Sequence, residues 1–196
     1  QYQRQLPSEF IGESWEIAAH PKEHTKVANG PLAGRDLSDL IPEFGSRLLG
    51  RLAPATAYLK FPLLIKLLDA NENNSIQVHP DNDQAWIHEG EPGKFEVWYI
   101  VDTKPGASII YGLKAGTSRD KLLRAFNNGN VKDVCNNIPV KPGEIYIIPT
   151  GLVHSLGAGI VLLEIQQNSD CTYRLFDYDR LDHSGQLRRI DKEKAL

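Results

Sequence analysis

Apolar residues in this chain gather into short runs broken by Gly, Pro and Asn, a length and punctuation that suit strands better than helices. Such runs occupy residues 14–19, 61–69, 75–79, 95–102, 107–111, 144–148 and 160–166. Two segments follow helical spacing instead. Asp36 is placed to cap a helix carrying Leu37, Leu40, Ile41 and Phe44, in which Pro42 is tolerated only within the first turns. Ser118 is placed to cap a second, with Asp120 in its first turn, Leu122, Leu123 and Phe126 as one stripe, and Asn127, Asn128 and Gly129 as its stop. That stripe predicts an amphipathic helix packed on the outside of the β structure. Many short strands with Gly and Pro corners predict a mainly β sandwich or barrel. The mixed charges of residues 187–196 read as the beginning of a helix, either a following segment or a C-terminal tail.

The chain has 196 residues, 41% hydrophobic and 24% charged, which is ordinary for a soluble globular domain. A net charge of −3, with charges scattered rather than clustered, gives no basic field for nucleic acid. No apolar stretch approaches the roughly 20 residues needed to span a bilayer, since residues 61–68 are interrupted by Pro62 and Lys66. The two cysteines, Cys135 and Cys171, are far apart and in no metal-ligand spacing, which fits a reducing cytoplasm. The chain opens at Gln1 and contains no Met, so an incompletely represented N-terminus is expected.

Alternation along the strands brings chemistry together. In Ser75-Ile76-Gln77-Val78-His79-Pro80, a strand sends Ser75, Gln77 and His79 to one face. After the turn Glu91-Pro92-Gly93, a second strand offers Lys94, Glu96 and Trp98 on one face, so that Glu96 can complete a mixed nitrogen and oxygen metal site. A third segment, residues 143–154, runs as an apolar strand into a Pro149 and Gly151 corner and delivers His154.

The pattern Gly143-x5-Pro149-x-Gly151-x2-His154 matches the second motif of the cupins at every fixed position. The first cupin motif usually reads His-x-His closely followed by Glu; here it is Gln77-x-His79, with Glu96 delayed by a loop. Gln77-Val-His-Pro-Asp81, Gly93-Lys-x-Glu96 and Asn168-Ser-Asp-x-x-x-Arg174 together resemble class I mannose-6-phosphate isomerases in their short bacterial or archaeal form. The resemblance runs from Gly12-Glu-Ser-Trp15 to Tyr173-Arg-Leu-Phe-Asp-Tyr-Asp-Arg180. It implies a cupin (jelly-roll) β-barrel with a few peripheral helices: a metal-binding domain over residues 1–186, with helical insertions near 36–49 and 118–135. It implies one divalent ion, zinc by preference, on Gln77, His79, Glu96 and His154, and interconversion of mannose 6-phosphate and fructose 6-phosphate through an enediol(ate). By the same matching Arg174 is the family's catalytic arginine, and Asp170 and Lys94 line the substrate site. Family members usually carry a further N-terminal strand with Trp-Gly and a second β-domain after the arginine motif; neither is seen here, so a fragment or an incompletely recorded chain is expected.

Moving a carbonyl between C1 and C2 requires removal of a weakly acidic proton and stabilisation of the resulting enediolate. A divalent ion with open positions meets the second demand, and two imidazoles, one amide and one carboxylate lower its charge by only one unit. The same set suits manganese, cobalt, nickel or iron. Arg174 offers a planar fork for an enediolate or a phosphate, Lys94 a point charge, and Ser75 a hydroxyl for phosphate. Asp170, Lys94 and a metal-bound water all remain open as general base. The competing functions are a non-catalytic sugar-phosphate-binding cupin and a metal-dependent cupin oxygenase. A small sugar phosphate is the partner expected, with neither nucleic acid nor membrane, and a homodimer is compatible. His20, His24, His88 and His183 read as surface histidines, Trp15 as barrel packing, and Glu13 as an orienter of a ligand. Phe95, Trp98 and Tyr99 read as core, and residues 177–180 as a solvated turn.

Overall fold

The computed structural model describes residues 11–53 and 61–196. Ten strands make two five-stranded sheets in which every neighbouring pair is antiparallel. The first contains β1 (Glu13–Ile17), β4 (Leu63–Ala70), β6 (Glu96–Thr103), β9 (Ile145–Ile148) and β11 (Ile160–Gln167), in the order β1-β4-β11-β6-β9. The second contains β5 (Ile76–Val78), β7 (Ser108–Leu113), β8 (Cys135–Pro139), β10 (His154–Leu156) and β12 (Tyr173–Phe176), in the order β12-β5-β10-β7-β8. A two-stranded hairpin, β2 (Ala19–His20) with β3 (Glu23–His24), stands apart. The fold is mainly β, as expected. Among the described residues no helix is long and apolar enough to cross a membrane.

Strand alternation builds two cores. Between the sheets, Leu68, Trp98, Ile100, Ile109, Ile148, Leu156, Ile160 and Leu162 form one apolar cluster. On the far side of the second sheet, Ile76, Val78, Tyr173 and Leu175 pack against Leu122 and Ala125 of α4 (Arg119–Asn127) and against Val131 and Val134 of the following 3-10 turn. The amphipathic helix therefore covers the outside of the second sheet, with Ser118 Oγ accepting from Lys121 N–H at 3.2 Å. Because β5 and β12 are covered on that side, their other parity, Gln77 and Arg174, faces the space between the sheets.

Helices α1 (Leu37–Phe44) and α2 (Ser46–Leu49) follow Asp36, separated at Gly45; Pro42 lies beyond the first turn of α1, where it removes one intrahelical donor. A helix that the apolar pattern did not reveal, α3 (Asn82–Glu89), starts where Asp81 accepts from Gln84 N–H at 2.9 Å. It has no apolar stripe, so periodicity gave no sign of it. A last short helix, α5 (Lys192–Ala195), closes the chain, and the backbone N–H of Asp191 before it donates to Arg174 O at 2.9 Å.

The alternation that turns Trp98 inward, 3% exposed, turns its neighbours out: Phe95 is 40% and Tyr99 43% exposed, so neither belongs to the core. His20, expected at the surface, is only 2% exposed. The β2–β3 hairpin folds it under the Trp15 ring, edge to face with centroids 5.7 Å apart, and toward Glu91. His24, His88 and His183 are exposed.

Candidate metal centre

Register places the donors. His154 of β10 pairs with Gln77 of β5, and Arg174 of β12 pairs with Gln77 from the other side. His79 leaves β5 one residue after its end, and Glu96 opens β6 on the facing sheet. Donor atoms of His79, Glu96 and His154 all lie within 4.8 Å of one another, and all three side chains are buried.

The pairwise separations are 3.1 Å from His79 Nε2 to Glu96 Oε1, 3.9 Å from His154 Nε2 to Glu96 Oε2, and 3.4 Å from Gln77 Nε2 to His154 Nε2. They bracket the roughly 3.4 Å expected between neighbouring ligand atoms around a tetrahedral ion with bonds of about 2.1 Å. His79 Nδ1 sits 2.9 Å from Cys171 O, and His154 Nδ1 sits 2.9 Å from Leu152 O. A carbonyl only accepts, so each Nδ1 carries the proton and each Nε2 presents its lone pair to the centre. His79 Nε2, a lone pair by that assignment, faces the buried Glu96 Oε1 at 3.1 Å, acceptor against acceptor, an arrangement that a cation between them resolves. Gln77 Oε1 accepts from Ser75 Oγ at 2.8 Å; exchanging amide O and N, which share one outline, turns that oxygen to the centre.

Electrostatics agree. Burial, then the neighbouring His79, pushes the His154 pKa down to about 3, and burial with Lys94 lowers that of His79, so both imidazoles are neutral at pH 7. Burial opposes charge on Glu96, yet His79 and Lys94 hold its carboxyl well below the ordinary range. Lys94 Nζ lies 3.1 Å from Glu96 Oε1; burial works against its charge, but Glu96, Glu164 and Asp170 outweigh it and keep the ammonium protonated.

Beside the centre opens a cavity of about 340 Å³, lined by Ser75, Gln77, Lys94, Asp170 and Arg174 among others. The structure thus brings the predicted site residues together: Gln77, Ser75, Lys94, Asp170 and Arg174 line the cavity, and His79, Glu96 and His154 are buried next to Gln77 and Lys94. Arg174 Nε is buried and has no hydrogen-bond partner among the described residues. Asp170, partly exposed, bonds Lys22 Nζ at 2.6 Å; burial raises its pKa, but Lys22 and Lys94 bring it below the usual value.

Two further residues escaped the sequence reading. Glu164 of β11 stands in register between Lys66 and Trp98 and accepts from Trp98 Nε1 at 2.9 Å, while Trp98 also reaches Glu96 Oε2 at 3.1 Å. Burial, then the charge of Glu96, pushes Glu164 up to about 7. Lys66 Nζ lies 3.8 Å from Glu164 Oε1 and 3.8 Å from Glu13 Oε2. Each is a lone charge on the inward parity of an apolar strand, the one signal that marked it. Glu13 touches none of the four donors; its carboxylate takes Trp15 Nε1 at 2.9 Å, and Trp15 packs on His20 and Lys66. Asp177, assigned to a solvated turn, is 3% exposed.

A double antiparallel sheet with an interior imidazole, carboxylate and amide set defines a cupin-type protein built to hold a metal ion. Residues 1–99 match the family described as phosphomannose isomerase type I, catalytic domain, and the chain belongs to that family. It is 44% identical over 192 residues to mannose-6-phosphate isomerase ManA of Bacillus subtilis, covering 97% of this chain and 59% of that protein. It is 43% identical over 191 residues to the mannose-6-phosphate isomerase of Streptococcus mutans, covering 97% and 58%. The crystal structure of the mannose 6-phosphate isomerase from Bacillus subtilis superposes with a TM-score of 0.89 at 46% identity, over 98% of this chain and 60% of that one. The chain therefore spans somewhat under two thirds of the relatives it matches.

Proposed function

We propose that this chain forms the metal-binding catalytic part of an aldose–ketose isomerase that interconverts mannose 6-phosphate and fructose 6-phosphate. The observation that carries the reading is the convergence of four donors, three of them fully buried, beside a cavity that Gln77, Lys94 and Arg174 line. Gln77, His79, Glu96 and His154 hold one divalent ion; zinc is our choice, on neutral imidazoles at near-tetrahedral separations. The ion, when bound, polarises the carbonyl and hydroxyl oxygens of the sugar. Arg174 lines the cavity and meets the negative charge of the enediolate or of the phosphate. Lys94, an ammonium, hydrogen-bonds sugar oxygens and supplies a proton. Asp170, ionised and facing the same space, removes the proton next to the carbonyl. Ser75 steadies the Gln77 amide and offers its hydroxyl to the substrate. Buried free thiols at Cys135 and Cys171 suit a cytoplasmic setting.

The test is conversion of fructose 6-phosphate to mannose 6-phosphate by the purified protein, before and after chelation and with zinc or manganese restored. Activity lost on chelation and regained with metal supports the reading. No turnover under any metal, with metal bound stoichiometrically, would sink catalysis for this chain.

A further inference from the structure

The segment after Arg174 carries a cluster that none of the four donors needs. Asp177 is nearly fully buried, and its two carboxylate oxygens are divided between two arginines: Oδ1 pairs with Arg180, while Oδ2 lies 3.2 Å from Arg188 Nη1. The backbone is bent to make this possible. Tyr178 and Asp179 have φ of 57° and 54°, in the left-handed region that side-chain-bearing residues seldom occupy. That turn folds Arg180 back onto Asp177, and Arg188 N–H donates to Arg180 O at 3.0 Å, closing a short arm. Arg180 and Arg188 both line the cavity that Arg174 lines. The carboxylates that line the cavity, Glu13, Glu164 and Asp170, face Lys66 and Lys22, so the one carboxylate of Asp177 among three guanidiniums leaves positive charge in excess at this end. Burial, and to a lesser extent repulsion from Arg174 and Arg180, weakens the hold of Arg188 on its proton despite Asp177. Such an excess, kept on a strained turn, is offset when an anion enters.

We infer that Asp177 is a positioning residue that presents Arg180 and Arg188 as a two-pronged holder for the phosphate end of the sugar phosphate, with Arg188 a binding residue in its own right. This rests on the isomerase reading for the identity of the substrate, and it orients that substrate, with phosphate toward the arginine arm and reacting carbons toward Glu96 and Lys94.

The experiment uses the metal-loaded protein and the variants Arg188→Gln, Arg188→Lys and Asp177→Asn. Kinetics with mannose 6-phosphate are set beside binding of inorganic phosphate by calorimetry, with circular dichroism to verify folding. The expected result for Arg188→Gln is a KM raised roughly ten-fold or more with kcat little changed, and phosphate affinity weakened in parallel. Arg188→Lys recovers part of the affinity, and Asp177→Asn, if folded, loses more than Arg188→Gln because both prongs go slack. An Arg188→Gln protein with unchanged KM and unchanged phosphate affinity overturns the inference. Failure of the isomerase reading looks different: no turnover in the parent protein, yet phosphate or mannose 6-phosphate affinity that still depends on Arg188, which leaves the holder standing. No turnover together with phosphate affinity indifferent to Arg188 overturns both.

Discussion

His79 and His154 each commit Nδ1–H to a backbone carbonyl, so their metal-facing nitrogens are lone pairs by construction and their burial penalises protonation. The consequence for stability has a definite sign. A histidine whose folded pKa lies below its unfolded value of about 6.5 binds more protons unfolded than folded, so stability is full above that pH and falls as pH drops toward the folded value. With His154 at about 3, chelated protein should lose up to roughly 1.4 kcal/mol for each pH unit below about 6.5 from this residue alone. Over the same range Glu164, raised to about 7, contributes with the opposite sign, so urea unfolding of the chelated parent is set beside chelated His154→Gln at pH 7.5 and 5.5, and an equal pH dependence in the two would show that His154 titrates normally. Lys94 makes a different prediction. Its ammonium contacts Glu96 but coordinates nothing, so Lys94→Gln should keep metal stoichiometry while kcat falls on the order of 10²–10⁴-fold. Metal analysis beside steady-state kinetics separates the two; a variant with bound metal and parental kcat removes Lys94 from the chemistry.

Elements position these residues through a few backbone contacts. Gly93, just before Lys94, lies so close to the start of α3 that a Cβ there would come within 2.6 Å of Asp81 C and 2.7 Å of Asn82 N. Both are backbone atoms, which cannot swing away. Gly93 N–H also donates to Asn82 Oδ1 at 2.9 Å, and Lys94 N–H to Pro80 O at 3.1 Å, so α3 sets the height of the strand that carries Lys94 and Glu96. Gly93→Ala should therefore destabilise by roughly 1–3 kcal/mol and depress activity beyond that loss, because Lys94 and Glu96 shift with the loop. Ser118→Ala is the matched control: it deletes the cap of α4, at about 1 kcal/mol, on the face of the second sheet that points away from the cavity. Thermal melts and kcat for the pair check it; equal activity in both variants would deny Gly93 its positioning role. The contrast also marks what could be read in advance. Alternation and the Gly, Pro and His corner put Gln77, His79, Glu96 and His154 forward as candidates, because each lies on a strand parity or turn that the chain itself specifies, and the family resemblance joined them into one ligand set. Helix α3, with no apolar stripe, and strands as short as β10 and β12 gave no comparable signal.

What escaped altogether depends on partners distant along the chain. Glu164 and Lys66 become cavity residues only when β11 slots between β4 and β6, and Asp177 is buried only because a left-handed turn and the returning segment bring two arginines onto it. The same assembly would make a bound metal ion a structural tie. Glu96 comes from the first sheet, Gln77 and His154 from the second, and His79 from the loop after β5, so an ion in their midst would link both layers beside the apolar cluster, whose Trp98 ring meets His154 with centroids 5.5 Å apart. A ligand bound only by the folded state adds stability as RT ln(1 + [L]/Kd), about 4 kcal/mol when free metal exceeds Kd a thousand-fold. For a chain of this length that corresponds to a rise in Tm of roughly 8–16 °C. Scanning calorimetry of chelated protein with and without zinc should show such a rise, growing with the logarithm of free zinc, and Glu96→Gln should abolish most of it while leaving the chelated Tm within a few degrees of the parent. A parent protein whose Tm ignores zinc would mean that the four donors do not close on an ion. A Glu96→Gln protein with the full rise would mean that the ion sits elsewhere.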